Sequence, residues 1–239
     1  MEQLHALDEI LHRFCERLES DTPFKKLLDG KVDLDFYIRF LIQTYHYVRF
    51  TPCSLKLAAD SLVGHPNPIC QSLRQRFKEH QAEEEGHDQW VLNDLRNLGQ
   101  DPSIVERVLP SDEVAAYNAY SRFVVKSSSP VAILGEAFVL EGISQRYGTS
   151  MAQNLAGRSG IPNVADAVSF LKGHGHTDQG HMTELRHVLE LIADERDWES
   201  IVLCAKVVSQ LYTAMIDGLT AQTVQRRYRM KGAAVAGGG

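Results

Sequence analysis

The chain has 239 residues, 44% of them hydrophobic, and a formal net charge of −6 at pH 7. This length fits one large domain or two small ones, with enough apolar residues for a sizeable core. The acidic balance excludes nucleic acid and anionic membranes as the main partners. We find no apolar run of membrane-spanning length, no secretory signal and no CxxC pair among the four cysteines. We therefore expect a reduced, cytoplasmic protein.

Nearly every segment between helix breakers shows apolar residues at the period of an α-helix, about 3.6 residues. The spacing predicts helices over 3–20, 33–62, 68–98, 102–107, 111–126, 129–154, 163–194 and 197–226, the second of them kinked at Pro52. No internal repeat or long linker divides the chain. We therefore predict one all-α domain of about seven helices over residues 1–226, followed by a disordered tail over 227–239.

The stretch "HQAEEEGHDQW", residues 80–90, contains candidate metal ligands on the third predicted helix. At about 100° per residue, His80, Glu84 and His87 share one stripe of that helix. Glu84 and His87 form the E-x-x-H unit of carboxylate-bridged di-iron bundles. We expect Glu83 to be solvated. His80 has three interpretations: a metal ligand, a hydrogen-bond donor to a ligand or a core histidine, and we favour the last two.

The stretch "GHGHTDQGH", residues 173–181, supplies a second set. His174, Asp178 and His181 follow an i, i+4, i+7 spacing, so they also share one helix face. His176 and His187 lie off that face and are predicted to be at the surface or to support ligands. Three glycines accompany the set and indicate close helix approach or room for a ligand: Gly173, Gly175 and Gly180.

A third contribution comes from "VAILGEAFVLEGI", residues 131–143. Glu141 follows a strongly apolar run, and a buried carboxylate is costly unless it is paired or bound to metal. Glu136 is the competitor, but it lies about 140° away around the helix and need not share the site. Three histidines and three carboxylates on core helices suit iron or manganese better than zinc. Glu184 is either a support for a ligand histidine or solvated.

The order E-x2-H, isolated core glutamate, H-x3-D-x2-H resembles the haem-oxygenase-like di-iron oxidases, the iron-containing redox enzymes related to the TenA and PqqC families. "FLIQTYHYVRFTP", residues 40–52, also resembles the second helix of this superfamily. The resemblance implies a haem-oxygenase-like helical bundle that binds two Fe ions, with Mn as the alternative metal. It implies one iron on Glu84, His87 and His174 and another on Glu141, Asp178 and His181.

The same resemblance implies an oxidase or oxygenase that uses O2 and an external reductant on an amine, an amino-acid-derived molecule or a fatty acid. It also implies a homodimer. Tyr45, Tyr47 and Trp90 are candidates for lining the pocket or transferring radicals, although core aromatics are the more frequent outcome for such residues. The alternative function is a non-catalytic or cofactor-independent small-molecule-binding protein of the TenA or PqqC kind.

Departures from related families narrow the choice. Leu140 and Phe170 stand where the chlamydial protein associating with death domains has tyrosines, which disfavours self-sacrificing aminobenzoate synthesis. Thr44 stands where TenA thiaminases have an aspartate, and no cysteine occurs between residues 71 and 203. The chain therefore lacks the residues that thiaminase chemistry requires.

Overall fold

A computed structural model describes residues 2–20 and 22–220 of the chain. Within these ranges the regular structure is helical throughout, so the all-α prediction is confirmed. The helices are α1 (Glu2–Glu19), α2 (Pro23–Leu28), α3 (Leu34–Val48), α4 (Thr51–Ser61), α5 (Pro68–Glu84), α6 (His87–Asn97), α7 (Ile104–Arg107), α8 (Asp112–Ser127), α9 (Ile133–Arg158), α10 (Ser169–Glu190) and α11 (Glu195–Asp217). Two 3-10 turns occupy Pro130–Ala132 and Val164–Asp166. The predicted tail lies outside the described residues.

The helix predicted over 33–62 is two helices, α3 and α4, rather than one kinked helix. The chain leaves α3 after Val48, and α4 begins at Thr51 with Pro52 in its first turn. A proline inside a helix clashes with the carbonyl four residues earlier, which here belongs to Val48. Pro52 is tolerated in a first turn, where its missing N–H would have no helical partner. The proline therefore starts a new helix instead of bending the old one.

The short helix α2 was absent from the prediction. Thr22 caps its N-terminus, because the Thr22 hydroxyl oxygen accepts a hydrogen bond of 3.2 Å from the Lys25 backbone N–H. Pro23 occupies the first turn, where proline is favoured. The sequence therefore contains a helix start signal that its short apolar pattern does not reveal.

The helix predicted over 68–98 is also divided, into α5 and α6. Glu85 is extended, and Gly86 adopts φ +93° in the left-handed region, which a residue with a Cβ rarely enters. The turn leaves Glu84 at the end of one helix and His87 at the start of the next. The single-helix geometry behind the E-x-x-H prediction is therefore wrong, although the two side chains still meet.

Helices α9 and α10 pack side by side through the centre of the bundle, and α9 also packs against α1 and α11. The backbones of α9 and α10 meet at Gly148 and Gly175: a Cβ on Gly175 would lie 2.6 Å from the Thr149 backbone nitrogen. A Cβ on Gly173 would meet the Trp90 ring at 2.5 Å, whereas Gly180 has no neighbour within 4 Å. The interpretation of close helix approach is confirmed for Gly173 and Gly175.

Helix α11 is long and apolar enough to cross a membrane by length and composition alone, the only such helix in the described ranges. Its buried residues, among them Ile201, Cys204 and Val208, belong to the same core cluster as those of α9. The helix packs against α1, α8 and α9. These contacts are those of a core helix in a soluble-type bundle, so its hydropathy is weak support for a membrane span.

Candidate metal centre

The first three predicted ligands come together where α5 ends, α6 begins and α10 passes. Glu84 and His87 are each 6% exposed, and the His87 Nδ1 lies 3.1 Å from the Glu84 Oε2. One ligand atom from each of Glu84, His87 and His174 lies within 4.8 Å of the other two. This spacing is compact enough for a single metal ion, so three of the predicted ligands lie together, and their binding of a metal stays a prediction.

Asp178 lies at the middle of the second group. Its carboxylate contacts the imidazoles on both sides: Oδ1 is 3.3 Å from the His181 Nδ1, and Oδ2 is 3.4 Å from the His174 Nδ1. The aspartate is 1% exposed. Because each imidazole uses its Nδ1 toward Asp178, its Nε2 is the atom left to face other groups. Asp178 therefore lies between the Nδ1 atoms of two predicted ligands.

Glu141 joins the cluster from α9 through His80. The His80 Nε2 lies 3.3 Å from the Glu141 Oε1 and 3.6 Å from the Glu84 Oε1. The structure thus brings all six predicted ligands to one place and sets His80 between two of the carboxylates. The position of His80 between two carboxylates is compatible with all three interpretations, a ligand, a hydrogen-bond donor to ligands and a core histidine whose polar atoms are satisfied.

Glu83 is exposed to solvent, as expected, but it also reaches the cluster, which the sequence analysis did not predict. Its Oε2 lies 3.5 Å from the His181 Nε2, and Arg76 donates hydrogen bonds of 3.1 and 3.2 Å to its two oxygens. His80, Glu83 and His181 form a second compact set with ligand atoms within 4.8 Å. The available signal was its i, i+3 spacing from His80, since such residues are neighbours on a helix.

Glu184, by contrast, pairs with Arg76 at 2.8 Å and is mostly exposed. It therefore supports the arginine that holds Glu83 and contacts no predicted ligand histidine in this structure. His176 and His187 are exposed, as one of their two interpretations predicts.

Several carboxylates and imidazoles of the cluster are buried close together, and this shifts their pKa values. Burial, together with the charges of Asp178 and Glu84, raises the pKa of Glu141 well above its ordinary value. Burial also opposes ionisation of Glu84, but hydrogen bonds from His80 and His87 outweigh it and lower the pKa of Glu84. The hydrogen bond to Asp178 raises the pKa of His181. Burial among carboxylates thus favours the neutral form of Glu141, whereas contact with carboxylates favours the charged form of His181.

Five buried atoms in the cluster have no hydrogen-bond partner among the described residues: the Glu141 Oε2, the His174 Nε2, the His181 Nδ1 and both carboxylate oxygens of Asp178. Buried polar atoms are nearly always satisfied, so such exceptions require an explanation. A carboxylate oxygen and an imidazole nitrogen are also the donor types that iron and manganese accept. The residues present therefore fit a metal centre with mixed oxygen and nitrogen ligation.

A cavity of about 110 Å³ adjoins the cluster. The His80, Glu84 and Asp178 side chains form part of its wall, and most of the remaining lining is aliphatic or aromatic. Tyr47 lines the cavity, as predicted, and contacts the Tyr117 ring at 5.7 Å between centroids. This is the mainly apolar space with a few polar groups that small-molecule sites commonly show.

The other two predicted pocket aromatics lie outside this lining. Trp90 stacks on the His87 ring, with the two ring centroids 4.1 Å apart and the planes 22° apart. Tyr45 lies under the Arg49 guanidinium, 5.5 Å from it. Trp90 therefore contacts a predicted ligand directly, whereas Tyr45 is a packing residue.

Glu136, the competitor of Glu141, lines the same cavity. Its Oε1 accepts a hydrogen bond of 2.5 Å from the Tyr117 hydroxyl, and its Oε2 accepts one of 2.6 Å from the Ser121 hydroxyl. The prediction that Glu136 stays apart from the ligand cluster agrees with these partners. Sequence reasoning did not assign it to the cavity.

Comparison with known proteins identifies the family and the fold. The sequence profile of a family described as iron-containing redox enzymes matches residues 38–213. The comparison with curated proteins finds no match. A domain of unknown function with a haem-oxygenase-like fold from Shewanella denitrificans is similar in structure, with a TM-score of 0.78, 19% identity, and coverage of 96% of this chain and 94% of that one.

Two further structures share the fold. A TenA homologue from Pseudomonas syringae pv. tomato has a TM-score of 0.75 at 11% identity, covering 91% of this chain and 90% of that one. A CADD-like protein of unknown function from Nostoc punctiforme has a TM-score of 0.60 at 16% identity, covering 91% and 98%. The predicted haem-oxygenase-like fold is therefore confirmed.

Proposed function

Because the chain belongs to the iron-containing redox enzyme family, we propose that it is a non-haem di-iron oxidoreductase that uses O2 to oxidise a small organic molecule. The observation that carries this proposal is the buried cluster of carboxylates and imidazoles in which the Glu141 Oε2 and the His174 Nε2 have no partner. Two divalent cations would supply the positive charge that this cluster lacks.

In this proposal, Glu84, His87 and His174 hold one metal ion, and Glu141, Asp178 and His181 hold the other. Two ferrous ions there would supply electrons to O2 while the substrate is oxidised. Manganese is the alternative metal, since it accepts the same donor atoms.

Besides holding the second metal, Asp178 would position the His174 and His181 rings, whose Nδ1 atoms lie 3.4 and 3.3 Å from its oxygens. The other residues of the cluster position these ligands. The His181 Nε2 lies 3.5 Å from the Glu83 carboxylate, which also pairs with Arg76. Glu83 therefore has two possible roles: it is a further ligand of the second metal, or it stays paired with Arg76. His80 donates its Nε2 proton toward Glu141 or Glu84. His80 thereby reduces the repulsion between the Glu141 and Glu84 carboxylates in the apolar interior.

The substrate in this proposal occupies the cavity beside the cluster, where mainly apolar walls exclude water. An external reductant, which the family resemblance implies, would supply the electrons that further turnovers require. We further propose a cytoplasmic location and a homodimer, as expected from the sequence and from the family resemblance.

The test is iron content after anaerobic Fe(II) loading, measured for the wild type and Asp178→Ala. We expect about two irons per wild-type chain, and O2 consumption that the variant loses together with its iron. His176→Ala is the matched control, because this exposed histidine lies on the same helix and should leave iron content unchanged.

A second pair of variants tests whether Glu141 or Glu83 is the glutamate ligand of the second metal. Glu141→Gln should lower the stoichiometry to about one iron, whereas Glu83→Gln should retain two. Wild-type protein without specific iron or manganese would contradict the proposal. It would instead support the alternative, a cofactor-independent or non-catalytic small-molecule-binding protein on the same fold.

A further inference from the structure

We propose that Glu136, held by Tyr117 and Ser121, binds the ammonium group of an amine substrate inside the cavity. This inference rests on the proposed function, because it assigns the substrate class on which the metal centre acts. It selects the amines from the three classes that the family resemblance implies.

Glu136 and Glu141 belong to the same helix and line the same cavity. They are five residues apart, which corresponds to about 7.5 Å along the helix axis. A substrate bound at Glu136 would therefore extend along α9 and present atoms beyond its head group to the metal cluster. The two carboxylates thus lie at two separate places along one substrate-sized space.

The surroundings of Glu136 hold its carboxylate but do not neutralise it. The residue is 5% exposed, and its partners, the Tyr117 and Ser121 hydroxyls, are both uncharged. Each hydroxyl occupies one position on a carboxylate oxygen, and each oxygen can accept a second hydrogen bond. The geometry therefore leaves capacity for another donor.

Among the described residues, no lysine or arginine lines the cavity. The His80 imidazole acts on Glu136 through its charge, but its ion-pair partners are Glu141 and Glu84. Burial raises the pKa of Glu136, although hydrogen bonds from Ser121 and Tyr117 oppose this effect. An ammonium group in the cavity would stabilise the charged carboxylate, because a buried charge is strongly favoured by an opposite charge.

The same arrangement disfavours a fatty acid. If a carboxylate head group bound at the metals, the alkyl chain would extend beside Glu136 and remove it further from water without supplying a hydrogen-bond donor. If the head group approached Glu136 instead, two carboxylates would face each other without a cation between them. Both orientations of a fatty acid leave a buried carboxylate without a partner, whereas an amine has one orientation in which its ammonium group pairs with Glu136.

The experiment is isothermal titration of anaerobic Fe(II)-loaded full-length protein with n-hexylamine, 1-hexanol and hexanoate near neutral pH. We expect the wild type to bind hexylamine at least about tenfold more tightly than hexanoate. Glu136→Gln should weaken hexylamine binding about tenfold and remove the preference for the amine. Iron content is measured on the same samples and should equal that of the wild type, since Glu136 contacts no predicted ligand.

Tyr117→Phe provides a second variant in case Glu136→Gln folds poorly. It keeps the ring and removes one hydroxyl, so it should weaken hexylamine binding about two- to fivefold. Asp94→Asn is the matched control, because Asp94 is a buried carboxylate that does not line the cavity. This control should bind hexylamine like the wild type.

Equal wild-type affinity for hexylamine and hexanoate would contradict the proposal that Glu136 binds the ammonium group. Unchanged hexylamine binding in both Glu136→Gln and Tyr117→Phe, with both variants folded, would contradict it as well. Either result with two irons bound would leave the proposed function intact. If the wild type bound no iron, the proposed function would fail, and titration of the metal-free protein would still decide the role of Glu136.

Discussion

Glu84 and His87 belong to different helices, yet the His87 Nδ1 lies 3.1 Å from the Glu84 Oε2. The turn between them consists of extended Glu85 and left-handed Gly86. It ends α5 after Glu84 and starts α6 at His87, so both side chains lie at helix ends rather than along a continuous face. The relative position of these two predicted ligands therefore depends on one glycine conformation.

Gly86→Ala tests that dependence. A Cβ at Gly86 would meet no atom within 4 Å, so the only cost is the left-handed backbone, about 1–2 kcal/mol in the free energy of unfolding. Gly64→Ala is the matched control, since Gly64 has φ +72° and equally open surroundings but lies in the loop after α4. We expect similar destabilisation by chemical denaturation in both, with weakened Fe(II) binding in Gly86→Ala alone. Equal Fe(II) affinity in the two variants would contradict the prediction.

Gly175→Ala tests the contact between α9 and α10. The added Cβ would lie 2.6 Å from the Thr149 backbone nitrogen, and a backbone atom cannot move aside without shifting a helix. We expect a loss of about 1–3 kcal/mol or more in the free energy of unfolding, together with lower iron content, because the shift separates Glu141 from Asp178.

Gly180→Ala is the control for this prediction on the same helix. Its added Cβ would meet nothing within 4 Å, so the substitution should stabilise the protein by about 0.5–1 kcal/mol through helix propensity. If the two variants melted at the same temperature, the close helix contact would not be limiting.

Glu141→Gln should stabilise the metal-free protein while removing one metal site. Burial and the charges of Asp178 and Glu84 raise the folded-state pKa of Glu141 above its unfolded value. Its contribution to stability is therefore complete below the unfolded pKa and is lost as pH rises toward the folded pKa. The glutamine stays neutral, so its advantage should grow with pH to about 1–3 kcal/mol near neutrality.

The measurement is urea unfolding of metal-free wild type and Glu141→Gln across the acid-to-neutral range. Glu83→Gln serves as the control, because the Arg76 pair and burial together leave the pKa of Glu83 lowered, the opposite direction. A Glu141→Gln variant less stable than the wild type at every pH would show that the carboxylate is compensated without metal.

Asp94→Ala should be among the more destabilising single substitutions outside the metal centre. The Asp94 carboxylate accepts hydrogen bonds from the Ser169 and Phe170 backbone N–H groups at 2.8 and 3.0 Å and from the Ser169 hydroxyl at 2.6 Å. It therefore caps the start of α10 from α6. Loss of these bonds should cost about 2–3 kcal/mol in thermal or urea unfolding. Asp94→Asn keeps one acceptor oxygen and should lose less, and equal losses would contradict the capping role.

The sequence was sufficient for the fold class, and helical periodicity placed His174, Asp178 and His181 on one face without knowledge of their neighbours. The sequence was insufficient where contacts between helices determine the position and partners of a side chain. Arg76 turns Glu83 toward His181, and the hydroxyls of Tyr117 and Ser121 come to Glu136 from another helix. The turn at Gly86 was missed because periodicity continues across it, even though glycine is the residue that such a turn needs.

The stacking of Trp90 on His87 provides an optical reporter of the centre. The chain contains two tryptophans, and the other, Trp198, lies at the start of α11 with its indole N–H bonded to the Ile192 carbonyl. Trp198→Phe would leave Trp90 as the single tryptophan, with its ring centroid 4.1 Å from that of a predicted ligand. A paramagnetic ion on that imidazole would quench its emission, so occupancy of the first site can be followed in real time and without added dye.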